Sequence, residues 1–160
     1  MTIKIGDSIP SVKLKRLGEN GMEEVDTAEL FNGKKVVMFS VPGAFTPTCS
    51  AKHLPGFIDQ AEALRGKGVD AIVCTAVNDP FVMKAWADGA GADAKVEMLP
   101  DGNAEFVKQL GLEMDGTGFG LGTRGKRFAL VAENGKVTHL AVEEPGAFEV
   151  SSAEAVIKAL

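Results

Sequence analysis

Cysteine, histidine and long apolar runs are all scarce in this sequence. Two cysteines and two histidines occur among 160 residues, which is too few for a disulfide framework or for a cluster with zinc-ligand spacing. No apolar run has the length that spans a bilayer, and the opening MTIKIGDSIPSVKLKR has no apolar core of a signal peptide. The sequence therefore predicts a protein of the reducing cytoplasm with free thiols, no membrane partner, no metal and no cofactor.

Positive charge is in deficit as well. The 17 Lys and Arg residues are outnumbered by 22 Asp and Glu, and the net charge is −5. Such a chain offers no basic surface to nucleic acid. No repeat, low-complexity tract or linker divides it, and its length suffices for a hydrophobic core. The sequence predicts one domain over residues 1–160.

Strands and helices alternate in the predicted fold. The Val-rich run 34–41 is typical of a strand buried on both faces, a helix is expected from about Cys49 to Arg65, and the apolar run 69–77 predicts a second strand. Strand, helix and strand form a parallel βαβ unit. The later elements are expected to be a helix at 81–87, a strand at 96–99, a helix at 104–110, a hairpin of 127–132 and 136–142, and a serine-capped C-terminal helix. This order predicts an α/β, thioredoxin-like fold, with a mixed central sheet and flanking helices.

The stretch VPGAFTPTCS, residues 41–50, places Cys49 at the end of a Gly/Pro/Thr-rich loop. If a helix begins near Thr48, the sulfur meets unpaired N–H groups and the positive end of the helix dipole, which favour a thiolate. Thr46 is close enough for its hydroxyl to donate to the sulfur or to a bound oxygen, and Pro42 restricts the loop backbone. The alternative is a buried, inert cysteine beside a turn, and the residues alone leave both interpretations open.

The pattern Pro42-x-x-x-Thr46-x-x-Cys49 resembles the active-site pattern of peroxiredoxins. VPGAFTPTCSAKHLPGF is similar to the type II, or atypical two-cysteine, branch of that family, and VNDPFVMKAW and KRFALVAENGKV match the same branch. The resemblance spans nearly the whole chain. It implies a thioredoxin-like fold and a thiol-dependent peroxidase that reduces hydrogen peroxide and small alkyl hydroperoxides in antioxidant defence and redox homeostasis.

The resemblance also implies roles for single residues. The Cys49 thiolate would attack the peroxide O–O bond and become a sulfenic acid. Thr46 and the N–H groups near Gly43 and Cys49 would donate hydrogen bonds to the peroxide oxygens, and Pro42 would screen the sulfur. Arg127 matches the guanidinium that lies beside the thiolate in the family. Without the resemblance, Arg127 would be interpreted as a solvated charge at the start of a strand.

Cys74 lies 25 residues after Cys49, inside the apolar run AIVCTAV. A cysteine in such a strand usually packs in the core. The resemblance to the plant-like type II subset implies instead a resolving thiol that forms an intramolecular disulfide with the oxidised Cys49. A helix start and a mid-strand position do not meet disulfide geometry without local unfolding. Packing and resolving both stay open.

Partners follow from the resemblance too. Thioredoxin is a suitable reductant for a disulfide, and glutaredoxin with glutathione is suitable for an exposed sulfenic acid. A homodimer is expected from the family. Phe45, Phe81 and Trp86 are the candidate exposed aromatics where two subunits would meet, with ordinary core packing as the alternative.

Other functions fit the residues less well. GLGTRGK (120–126) lacks the Ser or Thr that completes a phosphate-binding P-loop and precedes a strand, so we interpret it as a glycine-rich loop leading to Arg127. His53 suggests a Cys–His hydrolase pair with Cys49, but Pro55 distorts the helix and no orienting third residue is evident. A solvent-facing or hydrogen-bonded histidine is therefore expected.

Two redox alternatives remain to be distinguished from a peroxidase. A thioredoxin-type disulfide oxidoreductase is disfavoured because TPTC (46–49) lacks the second thiol of a C-x-x-C motif. A redox sensor is still possible, in which oxidation of Cys49 signals to a partner with little turnover.

Overall fold

Nine strands and six helices make up the part of the chain that the computed structural model describes, residues 2–160. The strands are β1 (Lys13–Gly18), β2 (Gly21–Asp26), β3 (Lys35–Ser40), β4 (Ala71–Ala76), β5 (Glu97–Pro100), β6 (Glu113–Asp115), β7 (Thr123–Gly125), β8 (Phe128–Glu133) and β9 (Lys136–Val142). The helices are α1 (Thr27–Phe31), α2 (Leu54–Asp59), α3 (Ala61–Gly66), α4 (Pro80–Ala90), α5 (Glu105–Leu110) and α6 (Ala153–Ala159). A π-helical turn, Cys49–His53, precedes α2, and a 3₁₀ turn spans Thr117–Phe119.

The central sheet has the strand order β5-β4-β3-β8-β9. β4 runs parallel to both β3 and β5, whereas β8 runs antiparallel to β3 and β9. Asn134 and Gly135 both have positive φ, 49° and 78°, which is the backbone that a tight hairpin turn between β8 and β9 requires. The mixed sheet with its helices confirms the predicted thioredoxin-like α/β fold.

Apolar clusters cover both faces of the sheet because its central strands β3 and β4 are buried almost throughout. One cluster joins the sheet to side chains of α2, α3, α4 and α6. The other joins it to α1, α5 and the β1–β2 hairpin. This burial on both faces is what the continuous apolar runs predicted. Within residues 2–160 no helix is long and apolar enough to cross a membrane.

The helix expected over 49–65 is divided into a π-turn, α2 and α3. Leu54 N–H donates to Cys49 O, five residues back, and Pro55 has no N–H to donate, so a regular α-helical turn is interrupted here. Gln60, with φ −96° and ψ 9°, separates α2 from α3. The start of the helical segment at Cys49 agrees with the prediction, whereas its continuity was wrong.

Three further features were not predicted from the sequence: the β1–β2 hairpin, α1 and the β6–β7 pair. The hairpin has few buried side chains, and ion pairs such as Arg16–Glu23, 2.8 Å, and Lys15–Glu24, 3.1 Å, join its two strands. Short, charged, half-exposed strands lack the apolar pattern from which strands are predicted.

Phe106 of α5 allows a test of the second cluster, since it is completely buried. Phe106→Ala is expected to lower the free energy of unfolding by about 3–5 kcal/mol, because it removes apolar contact and leaves a cavity. Phe119→Ala is the matched control, since that ring is 86% exposed, and its effect should stay within about 0.5 kcal/mol. Urea unfolding followed by circular dichroism measures both. Equal effects of the two changes would contradict the assigned core.

Candidate active site

Cys49 lies where the chain enters the π-turn after β3 and the loop 41–48. Its side chain is completely buried. The end of β3 lies beside the start of β8, because Ser40 is paired with Phe128 in the antiparallel register. Arg127, the residue before β8, is therefore placed next to the loop that carries the cysteine.

Arg127 contacts the sulfur directly. Its Nη2 donates a hydrogen bond to Cys49 Sγ at 3.1 Å. A guanidinium donor stabilises negative charge on a neighbouring sulfur, and Arg stays protonated throughout the pH range in which proteins work. The interpretation of Arg127 as a solvated charge at a strand start is therefore wrong.

His53 is completely buried and contacts the other side of the same guanidinium. Arg127 Nη1 lies 2.8 Å from His53 Nδ1, and His53 Nε2 lies 2.9 Å from the carbonyl oxygen of Ser151. Because Arg127 can only donate and a carbonyl can only accept, the imidazole carries its proton on Nε2 and accepts at Nδ1. The expected hydrogen-bonded histidine is confirmed and the solvent-facing one is wrong. Nδ1 is committed to Arg127, so the ring is not the base of a Cys–His pair.

The charge state of His53 agrees with this geometry. The pKa of His53 is lowered to about 3, mainly by burial and also by the positive charge of Arg127, whereas the hydrogen bond to Ser151 and the charge of Glu143 oppose the shift. A neutral imidazole is thus the stable form at physiological pH.

The loop before Cys49 is fixed by contacts that differ in part from those expected. The Thr46 hydroxyl donates to Gly43 O at 2.7 Å, so its single proton points neither to the sulfur nor to an incoming ligand. Arg124 Nη1 donates to Pro42 O at 3.2 Å, and Ala44 N–H donates to the side chain of Asn78 at 2.9 Å. The Thr46 hydroxyl was expected to donate to the sulfur or to a bound oxygen, and in the structure its proton is directed to Gly43 O instead.

Arg124 is a site residue that the sequence did not reveal. A Cβ on Gly43 would lie 2.6 Å from Arg124 Nη1, so glycine is what allows this guanidinium to lie against the loop. Arg124 belongs to the stretch 120–126 that superficially fits a P-loop. That stretch contains β7 and leads into β8 with no helix after it, so it is not a P-loop, and it delivers two arginines to the site. The feature of the sequence that could have indicated Arg124 as a site residue is its position three residues before Arg127.

Cys74 occupies the middle of β4, between Phe39 on β3 and Met98 on β5. Both cysteines are free, completely buried and members of the same apolar cluster. Burial raises the pKa of the Cys74 thiol, the neighbouring Cys49 raises it further, and Arg127 opposes the shift. Cys74 is thus a protonated core thiol in the reduced protein.

The three candidate interface aromatics divide into two groups. Phe45 and Phe81 are 59% and 63% exposed, and Phe45 has an uncommon positive φ of 66°. Trp86 is buried and its Nε1 donates to Ser50 Oγ at 3.0 Å. Exposure is therefore confirmed for the two phenylalanines and wrong for Trp86.

A cleft of about 720 Å³ adjoins the site. Its lining is mainly apolar and includes Pro42, Met114, Phe119 and Val142. Its charged lining residues are the cations Lys126 and Arg127 and the acidic residues Glu143 and Glu144. Since Arg127 also contacts Cys49, the cleft leads to the immediate surroundings of the thiol. Among residues 2–160, no group of three or more His, Cys, Asp or Glu side chains is arranged to hold a metal ion.

Comparisons with known proteins agree with this geometry. The family model described as Redoxin matches residues 4–157. Peroxiredoxin-2C of Oryza sativa subsp. japonica is 52% identical over 99% of this chain and 98% of its own length, and Peroxiredoxin-2B of Arabidopsis thaliana is 49% identical over the same shares. The crystal structure of reduced Prx3 from Vibrio vulnificus in complex with H2O2 has a TM-score of 0.95 and 52% identity, over 99% of each chain.

The buried, neutral His53 predicts a pH dependence of stability. Its pKa is about 3 in the folded protein against an ordinary 6.5, so the unfolded chain takes up the proton first as the pH falls. The free energy of unfolding should decrease from about pH 6.5 downward, by at most about 1.4 kcal/mol per pH unit from this residue. Urea unfolding between about pH 7 and about pH 5 measures the slope. His53→Asn should flatten it and His139→Asn should not; an unchanged slope in His53→Asn would contradict the assignment.

Proposed function

Because the chain belongs to the peroxiredoxin family and is a thiol-dependent peroxidase, we propose that Cys49 is the cysteine that attacks the peroxide. The observation that carries the assignment is the 3.1 Å hydrogen bond from Arg127 Nη2 to Cys49 Sγ. Within residues 2–160 no side chain is found to donate a hydrogen bond to Cys74, which lies in the middle of the sheet. Of the two thiols, Cys49 is thus the one placed for nucleophilic chemistry.

The proposed reaction is an in-line displacement at oxygen. The Cys49 thiolate attacks one oxygen of R–O–O–H, an S–O bond forms as the O–O bond breaks, and the leaving alkoxide or hydroxide takes up a proton to give an alcohol or water. Sulfur is oxidised to a sulfenic acid and the peroxide is reduced. Arg127 serves both stages, since its fixed donors stabilise the thiolate beforehand and the charge that develops on oxygen during bond cleavage.

The loop residues complete the peroxide site in this proposal. Pro42 screens the sulfur, and N–H groups near Gly43 and Cys49 donate to the oxygens. Thr46 takes a role different from the one first expected: its hydroxyl donates to Gly43 O, so its oxygen offers lone pairs to the O–H of the incoming peroxide. The single O–H of an alkyl hydroperoxide would thus donate to the Thr46 oxygen, while its two oxygens accept from Arg127 and from the backbone N–H groups.

The cleft supports small alkyl hydroperoxides as substrates besides hydrogen peroxide. Its volume of about 720 Å³ exceeds what hydrogen peroxide alone needs, and apolar walls suit an alkyl group. The H2O2 bound in the Vibrio vulnificus relative supports the smaller substrate.

We further propose that Cys74 resolves the sulfenic acid. Its thiol would attack the oxidised Cys49 sulfur, forming an S–S bond and releasing water, and thioredoxin would reduce the disulfide by thiol exchange. Both thiols lie in one apolar cluster, and we propose that local unfolding of the π-turn brings them together. If Cys74 only packs, glutaredoxin with glutathione would reduce the sulfenic acid instead.

Cys49 and Cys74 can be assigned with a coupled peroxidase assay. Cys49→Ser should abolish turnover with either reductant, since a hydroxyl is not a nucleophile toward peroxide at neutral pH. Cys74→Ser should lose turnover with thioredoxin and keep it with glutaredoxin and glutathione. After one equivalent of peroxide, intact-mass analysis of the wild type should show the loss of two hydrogens.

Three results of that assay would redirect the assignment. Activity that survives in Cys49→Ser would refute its role. Full turnover of Cys74→Ser with thioredoxin, together with a persistent sulfenic acid in the wild type, would make Cys74 a packing residue. Stoichiometric peroxide consumption that stops despite excess reductant would favour the redox sensor.

We also propose that the protein acts in the cytoplasm and forms a homodimer through the exposed rings Phe45 and Phe81. Two large exposed aromatics near the active loop are typical of surfaces that are covered by a partner.

A charge placed in this surface should separate the subunits. Phe81→Asp is expected to convert a dimer to a monomer in sedimentation velocity, because burial of a carboxylate in an apolar interface is unfavourable. Phe119→Asp, at a more exposed ring outside the proposed interface, is the control and should leave the sedimentation coefficient unchanged. A monomeric wild type, or a Phe81→Asp dimer, would argue against this interface.

A further inference from the structure

Glu143, directly after β9, carries a carboxylate that the peroxidase reaction does not use. The residue is 8% exposed, and none of the ion pairs found within residues 2–160 includes it. Its Oε2 accepts three hydrogen bonds: from Glu149 N–H at 2.7 Å, Ser151 N–H at 2.8 Å and the Ser151 hydroxyl at 2.7 Å. Although burial acts to raise the pKa of Glu143, these bonds hold it below its usual value. An ionised carboxylate therefore holds the segment that precedes α6 in place.

The segment held by Glu143 is connected to the thiol site through Ser151. Ser151 is completely buried, and its carbonyl accepts from His53 Nε2 at 2.9 Å. That bond fixes the proton of the imidazole on Nε2 and leaves the Nδ1 lone pair for Arg127 Nη1. The Ser151 carbonyl thus makes His53 Nδ1 a hydrogen-bond acceptor for Arg127.

Glu143 also contacts Arg127 directly, so the hydrogen bonds form a closed ring. The backbone N–H of Glu143 donates to the backbone carbonyl of Arg127 at 2.9 Å. Arg127 is therefore held from two directions, at its backbone by Glu143 and at Nη1 by His53. The Phe148 ring, with its centroid 5.8 Å from Arg127 Cζ and 4.9 Å from the His53 ring, packs against both. Nη2 is directed at Cys49 Sγ.

We propose that Glu143, Ser151 and His53 are positioning residues that fix the direction of the Arg127 guanidinium toward the sulfur of Cys49 and toward the peroxide. This rests on the proposed role of Cys49. An arginine side chain has several rotatable bonds, and a donor acts on a transition state only when it is already aimed where charge develops. The hydrogen bonds of Glu143, Ser151 and His53 hold the guanidinium in that direction.

The first test compares two changes at His53. His53→Leu fills the space but offers no acceptor, whereas His53→Asn places its Oδ1 where Nδ1 was. We expect His53→Leu to slow the oxidation of Cys49 by hydrogen peroxide about 10- to 100-fold, as lost charge-assisted hydrogen bonds do. His53→Asn should recover most of the rate. Rapid-quench mass spectrometry measures the rate constant in a single turnover, independently of any reductant.

The second test asks whether the effect passes through Arg127. If it does, adding His53→Leu or Glu143→Gln to an Arg127→Gln variant should change the oxidation rate less than about twofold. Glu143→Gln alone should slow the wild type about tenfold, since it weakens the bonds that hold Ser151. It retains an acceptor oxygen, so circular dichroism should show an intact fold.

Matched controls and contrary results complete the design. His139→Leu and Glu19→Gln change the same residue types outside the chain of bonds, since Glu19 is exposed in the turn between β1 and β2, and both should leave the rate constant unchanged. Slowing by His53→Leu that is equally large in the Arg127→Gln background, or no rescue by His53→Asn, would overturn the proposal, because a merely structural role predicts both. Cys49→Ser that is still oxidised by peroxide would instead overturn the proposed function itself.

Discussion

The contact between the Arg127 guanidinium and the Cys49 sulfur is the interaction on which the active site depends. It exists because the antiparallel register of β3 and β8 brings the residue before β8 beside the loop that ends β3. Without that register, Cys49 would lose the donor that contacts its sulfur. The pairing of β3 with β8, two strands with mostly buried side chains, therefore places the guanidinium beside the thiol.

The sequence revealed those parts of the fold and site that have a local pattern. Buried strands, the hairpin turn at Asn134-Gly135 and the start of the helical segment at Cys49 all follow from residues that are neighbours in the chain. Arg127 needed the family resemblance, since one arginine before a strand has no local signature. The roles of Glu143 and Ser151 could not be predicted from the sequence. Ser151 contacts His53 only in the folded chain, 98 residues away, and Glu143 is linked to His53 through Ser151.

The two thiols share one apolar cluster but have opposite electrostatic environments. Cys49 has the guanidinium within hydrogen-bond distance, whereas burial keeps Cys74 protonated within β4. In the proposed reaction, this difference distinguishes the sulfur that attacks the peroxide from the sulfur that resolves the sulfenic acid. A resolving role for Cys74 requires the helical segment to open, and the interruptions at the π-turn and Gln60 make that segment the natural place for opening.

The hydrogen bond from Trp86 to Ser50 has an experimental consequence. The chain contains one tryptophan and no tyrosine, so its near-ultraviolet emission comes almost entirely from a single indole. The indole of Trp86 donates a hydrogen bond to Ser50, the residue directly after Cys49. The proposed Cys49–Cys74 disulfide requires this segment to rearrange, so the fluorescence of the single indole would report that step without any attached label.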